Sequence, residues 1–243
     1  MTSYERGIRR IITAGLLLAI TLLLTLTRIG FIPVPTPAAN ATIAHIPAII
    51  AGILEGPLVG LIVGLGFGFG SFMSATVPMF KDPLVAILPR LFIGVTAAFT
   101  YAALRRANKS VMYVMLGVLY LLLLFFSYQI FMHITWLGFL LGHLSTAATI
   151  GVFLWLRNAD AQLVALGITA AVGTLTNTVL VLTMAVVRNY MDPAAAVGVG
   201  ITHGIPEVIV AAVIVVAVIT AVRQVGQKQR RSRLMTETTR QAE

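Results

Sequence analysis

The sequence predicts an all-α membrane protein, a polytopic bundle of eight transmembrane helices with both termini in the cytoplasm. Three observations predict it. The composition is 58% hydrophobic and only 10% charged, and the mean hydropathy is +0.97, which is not the balance of a soluble globular chain. A bilayer core about 30 Å thick takes roughly 20 apolar residues per helix, and the 243 residues divide into apolar runs of about that length. The charges also segregate. With the N-terminus inside, 13 of the 17 Lys and Arg residues fall in segments on the cytoplasmic side, as the positive-inside rule requires. A seven-span count would put one end outside and destroy that bias.

The same numbers exclude several classes. The net charge of +9 would point to nucleic acid in a soluble protein. Here the basic residues flank apolar spans, so they read as orientation signals and contacts for anionic lipid headgroups. The absence of cysteine leaves no disulfide or thiolate metal site. No GxxxxGK[ST] phosphate loop is present, so ATP-driven work would need another subunit.

The first span covers about 8–27. Arg6, Arg9 and Arg10 precede it, and Ala39-Asn40-Ala41 mimics a signal-peptidase site. That site lies too far behind Pro33, Pro35 and Pro37, so an uncleaved first helix is expected. The Pro-rich segment 29–42 cannot be helical and must lie outside the membrane or line a cavity. The apolar stretch 43–73 is broken by Glu55-Gly56-Pro57 and reads as two short helices around a tight turn, a pattern that marks binding sites in transporters. Gly60, Gly64, Gly66, Gly68 and Gly70 put small residues on the second of these, where helix packing is the ordinary explanation. Asp82-Pro83 combines a capping carboxylate with a first-turn proline and starts a helix that runs to about 104. Arg105, Arg106 and Lys109 close it. Two further spans, about 111–131 and 134–156, form a hairpin. A span at 162–187, a loop at 188–193 and a last span at about 206–222 follow. The tail 223–243 is basic and polar, and reads as a frayed helix or as disordered. The domain reading is one transmembrane domain, 1–222, plus this cytoplasmic tail.

Function must then be sought in the polar groups held inside apolar spans. Arg90 follows Pro89 about two turns into its helix. A central Arg costs on the order of 3 kcal/mol on insertion scales and needs a partner or a watery cavity. One reading is a ligand carboxylate or phosphate on its planar fork of donors. The other is bonding to the carbonyl that Pro89 frees one turn earlier, or to Glu207. Glu207 follows Pro206, which would put it in the first turn of the last helix, where the helix dipole stabilises a carboxylate. His203 lies four residues earlier and would share its face if that helix began sooner. Within Thr174-Leu175-Thr176-Asn177-Thr178 the threonines can return hydrogen bonds to their own helix. Asn177 needs a partner elsewhere, from a neighbouring helix or a ligand. His45 beside Pro47 is either a satisfied structural group or a ligand contact. His133 and His143 have no carboxylate or Cys beside them, so neither a metal site nor a cofactor is expected. Gly15 and Ala19 form a small-xxx-small pair, fit either for packing within the chain or for docking a membrane partner.

Taken in order, six segments resemble one family: Ala41–Pro47, Glu55–Gly60, Gly68–Phe72, Leu88–Gly94, Gly173–Thr178 and His203–Glu207. The chain resembles the substrate-binding S component of an energy-coupling factor (ECF) vitamin transporter. That resemblance implies six helices and a high-affinity site for a vitamin-like substrate near the outer face. It also implies a lid formed by the loop after the first helix, here 29–42, and a partner module of one transmembrane scaffold subunit and two ATPases. Gly15 and Ala19 match the docking pattern, and the prokaryotic cell membrane is the location. The hairpin at about 111–156 is an insertion relative to that pattern, and its even number of spans preserves orientation. The expected substrate contacts are His45, Arg90, Asn177, His203 and Glu207, and Arg90 favours an anionic ligand such as pantothenate or folate. The competing readings are a stand-alone ion-coupled secondary transporter using Glu207, an intramembrane enzyme using a His with Glu207, and an assembly protein built around the hairpin.

Overall fold

The computed structural model describes residues 3–34, 36–133, 135–158 and 160–242. The chain is mostly helical and divides into two compact units, Met1–Thr100 with Leu166–Glu243, and Tyr101–Ala165. In the second unit, α6 (Lys109–His133) and α7 (Thr135–Asn158) pack side by side. Tyr120 and Thr146 share a 3.2 Å hydrogen bond, and the Tyr113 and Phe153 rings lie 5.3 Å apart. His143 bonds the Phe139 carbonyl of its own helix. The side chain of His133 lies outside the described residues.

The first unit begins with α1 (Ser3–Leu26). Leu17, Thr21 and Thr25, four residues apart, form its buried stripe. The threonines return their hydroxyls to Leu17 and Thr21 carbonyls at 2.8 and 2.9 Å, so the stripe is polar in composition yet saturated. Gly15 and Ala19 lie on the exposed side. The helix ends in a left-handed residue, Arg28, at φ 62°. Glycine takes that conformation freely, whereas a residue with a Cβ loses about 1–2 kcal/mol.

The Pro-rich segment forms a small antiparallel hairpin, β1 (Phe31–Pro33) with β2 (Asn40–Thr42), in the register Phe31 opposite Thr42. Pro33 sits at the end of β1, where its missing N–H is tolerated. α2 (Ile46–Glu55) and α3 (Pro57–Met73) follow. They are separated by Gly56 at φ 91°, which only glycine adopts without strain. At 10 residues α2 rises about 15 Å, half of a hydrocarbon core.

α3 is packed from two sides through its glycines. A Cβ at Gly66 or Gly70 would strike Leu18 or Thr25 of α1. A Cβ at Gly60, Gly64 or Gly68 would strike the backbone of Gly94, Arg90 or Ile87. Lipid tails are as apolar as the helices, so association in a membrane rests on van der Waals contact, and small residues permit the closest contact.

The Asp82-Pro83 start is present: Asp82 accepts from the Leu84 N–H at 3.0 Å. The helix is not continuous to 104, however. It breaks at Ile87 into α4 (Pro83–Ala86) and α5 (Leu88–Leu104), because Pro89 has no N–H to offer the Val85 carbonyl. α8 (Ala161–Val187) follows, then α9 (Pro193–Ala242), a single helix of 50 residues. The last helix therefore begins 13 residues before Pro206, and it runs to Ala242. Its true start is a second Asp-Pro pair. Asp192 accepts from the Ala194 and Ala195 N–H groups, both at 3.0 Å. Pro206 is carried inside the helix, as helices of membrane proteins allow. Among the described residues, four helical stretches have the length and apolar composition to cross a bilayer: Gly7–Leu26, Pro83–Leu104, Ala161–Val187 and Pro193–Lys228.

Two predictions follow from this packing. Gly94→Ala should lower thermal stability by about 1–3 kcal/mol, the usual size of overpacking. Gly15→Ala, where nothing lies within 4 Å of an added Cβ, should stay within about 0.5 kcal/mol of wild type. Thermal unfolding in detergent, followed by circular dichroism, measures both.

The second concerns the ion pair that joins the start of α4 to the end of α8, Arg188 Nε to Asp82 Oδ2 at 2.7 Å. The hydrogen bond from Arg188, with help from the Leu84 N–H, holds the Asp82 carboxyl below the usual carboxylate range. Its contribution to stability is therefore fully present above the ordinary Asp value and is lost as pH falls through the lowered one. The melting temperature should fall across that acid window in the wild type, and Asp82→Asn should remove this part of the pH dependence while lowering stability at neutral pH.

Candidate functional site

A cavity of about 60 Å³ opens beneath the β1–β2 hairpin. Phe31, Ala38, Asn40 and Thr42 of the hairpin roof it, and its walls come from the end of α3, the following loop, α5, α8 and α9. Four of the residues singled out in the sequence line it: Arg90, Asn177, His203 and Glu207.

Arg90 is 3% exposed. Its Nη1 donates to the Val85 carbonyl, the group that Pro89 leaves free. The guanidinium lies 5.5 and 5.1 Å from the ring centroids of Phe67 and Phe80, a distance at which the aromatic faces attract it. Its Nε is buried without a partner. Among the described residues no carboxylate is ion-paired with it. The cation is thus held by one carbonyl and two rings, and it is also attracted by the Glu207 carboxylate across the cavity, without an ion-pair contact.

Asn177 lies on the buried stripe of α8 that also includes Ala170, Thr174, Thr178, Val181 and Ala185. It is 5% exposed, and its Oδ1 is buried without a partner. A buried amide in that condition loses about 1–3 kcal/mol relative to a satisfied one, so the position is unfavourable unless something else supplies the contact.

His203 and Glu207 belong to a stripe of α9 that runs Val199, His203, Glu207, Ala211, Val215, Ile219. Because the helix starts at Pro193, Glu207 is well inside it, and the first-turn dipole does not account for its carboxyl. Its partner is the hairpin: the Thr42 N–H donates to Glu207 Oε1 at 2.6 Å. His203 Nε2 and Thr36 Oγ1 share a second hydrogen bond of 2.7 Å. A two-stranded hairpin is marginal by itself, and these bonds tie it to α9 from both ends.

His45 is set apart from the other four. It is fully buried at the N-terminal end of α2, with Nε2 bonded to Thr174 Oγ1 at 3.0 Å, and it does not line the cavity. Gly15 and Ala19 are on the exposed side of α1, away from the cavity residues. The cavity also contains residues that sequence reasoning did not select, chiefly Arg28, Phe80, Ser71 and Thr76. The one sequence signal for Arg28 was its position as the lone charge between an apolar span and the Pro-rich loop.

The site is thus a buried cation and a buried amide with a partnerless oxygen, enclosed beneath a hairpin by apolar helices; four helical stretches of the chain have the length and composition to cross a membrane. The chain matches the family model for the substrate-specific component of the ECF transporter over residues 9–219, and it belongs to that family. Members are transporter subunits, not enzymes, and membership implies association with an ECF module and a small-molecule substrate. No curated protein matches the chain.

The hairpin ties give a direct prediction. Glu207→Ala removes the acceptor of the Thr42 N–H, whereas Glu207→Gln retains a carbonyl oxygen there. Hydrogen bonds to charged groups contribute about 1.5–3 kcal/mol. Amide exchange across Ala41 and Thr42 should therefore rise about tenfold or more in Glu207→Ala and less in Glu207→Gln, as read by mass spectrometry.

Proposed function

We propose that the protein is the high-affinity capture subunit of an ATP-driven importer and that it takes a small anionic, vitamin-like nutrient from outside the cell. The observation that carries this reading is Arg90: a buried guanidinium that borders a cavity, with a partnerless Nε and no paired carboxylate among the described residues. A carboxylate supplies the planar pair of acceptors that such a fork recognises. Asn177 would contribute an uncharged donor and acceptor beside it. The hairpin 31–42 would act as the lid, with His203 and Glu207 holding it shut over the ligand. Pantothenate and folate are the favoured ligand types.

The remaining parts of the reading follow from family and charge. The chain would cross the membrane eight times counting α2 and α3, with both ends in the cytoplasm of a prokaryotic cell. It would dock through Gly15 and Ala19 on a scaffold subunit that carries two ATPases. Hydrolysis there would release the ligand inside.

Calorimetry on the purified protein with anionic (pantothenate, folate), neutral (riboflavin) and cationic (thiamine) vitamins tests it. An anionic ligand should bind. Arg90→Gln should weaken that binding by about 30-fold or more, since removing one partner of a buried charged contact costs 2–5 kcal/mol. Binding of neutral or cationic vitamins alone, or an Arg90→Gln protein with wild-type affinity, would overturn the assignment.

A further inference from the structure

Arg28 has no role in the reading above, yet three observations converge on it. It is a long side chain held in the left-handed conformation, φ 62°, where the end of α1 would accept glycine without strain. Residues kept in such conformations cluster at ligand clamps and switch regions; Ala39 and Asn189 share the conformation, but of the three only Arg28 lines the cavity. Its side chain lines the same cavity as Arg90. It is also lightly held. Its Nη2 donates to Thr76 Oγ1 at 3.4 Å, an exposed contact near the outer limit for a hydrogen bond, and it has no ion-paired carboxylate among the described residues. Arg90 is the opposite case, buried and clamped between a carbonyl and two rings. The cavity thus has one cation in solvent and one in the interior.

We propose that Arg28 is the capture residue of this site: an exposed guanidinium at the cavity mouth that takes the carboxylate of the incoming ligand from water before Arg90 holds it. The proposal rests on the carboxylate reading of the cavity. Among the described residues, the weak bond to Thr76 is the one side-chain hydrogen bond of Arg28 that a carboxylate must displace. A rim charge of this kind acts on the association rate and its salt dependence, whereas a buried one acts on dissociation.

The experiment is stopped-flow binding of pantothenate, or of folate if the wild type binds only that, at low and high salt. The proteins are wild type, Arg28→Gly, Arg28→Lys and Arg90→Gln. Arg28→Gly should associate about tenfold more slowly at low salt, with a flattened salt dependence and a dissociation rate within about threefold of wild type. Arg28→Lys keeps the charge and should keep most of the salt dependence. Arg28→Gly should also melt at a higher temperature, since glycine accepts the left-handed turn. Wild-type association by Arg28→Gly, with Arg90→Gln still impaired, would overturn this proposal and leave the carboxylate reading standing. If no anionic vitamin binds the wild type, both fall. A lower melting temperature for Arg28→Gly would reassign Arg28 to bracing the end of α1 and overturn the claim that it is held for the ligand.

Discussion

The close approach of α3 to α5 is the constraint on which the rest of this structure depends. Gly60 faces Gly94, Gly64 faces the Arg90 carbonyl and Gly68 faces Ile87, with no side chain between the two backbones. In lipid there is no hydrophobic gain from helix association, so contact distance decides whether two helices stay together. The contact positions the backbone of Arg90 itself, and the proline break one turn before it supplies the carbonyl that holds its guanidinium. The packing of apolar helices and the placement of the buried cation are one arrangement, achieved by residues without side chains.

Around that cation the bundle divides its polar groups between two tasks. Glu207 and His203 bind the hairpin, through Thr42 and Thr36. Arg90 and Asn177 retain unpaired atoms toward the interior. A site in which every polar group were saturated by the protein would have nothing to offer a ligand, and one in which none were would not hold its shape. The stripe of α9 joins the two requirements: Val199 above and Ala211, Val215 and Ile219 below anchor the helix in the core, so the two residues that grip the hairpin stand on a rigid element.

The hairpin itself depends on the bundle beneath it. Its own ladder is too short to be stable alone, and it is held on the bundle both by the hydrogen bonds to α9 and by the apolar contact of Ala38 with Met79, Val85, Val181 and Val199. Hydrogen bonds exchange with water at small net change in free energy.

Much of the architecture was legible because it is written in local chemistry. Asp82-Pro83 announces a helix start, Glu55-Gly56-Pro57 announces a turn, and the prolines of 29–42 forbid a helix. Pro89 frees a carbonyl within reach of Arg90 whatever the rest of the chain does. Where local signals competed, reading them singly failed. Pro206 looks like a helix start, but Asp192-Pro193 is a stronger one, and a membrane helix tolerates the later proline. Pro89 ends a helix turn that Asp82 begins. What the sequence by itself determined is therefore the set of elements, their caps and the identity of the few polar groups placed among apolar ones. Only the tertiary structure decided which of those groups meet. Thr42 and Glu207 are 165 positions apart, and nothing in either neighbourhood specifies the other. His45 and Asn177 carry similar local signals, and each keeps one buried atom without a partner, yet one lies within the core and the other borders a cavity. That difference arises from which helix faces come into contact, a property of packed backbones in three dimensions and not of any residue's neighbours along the chain.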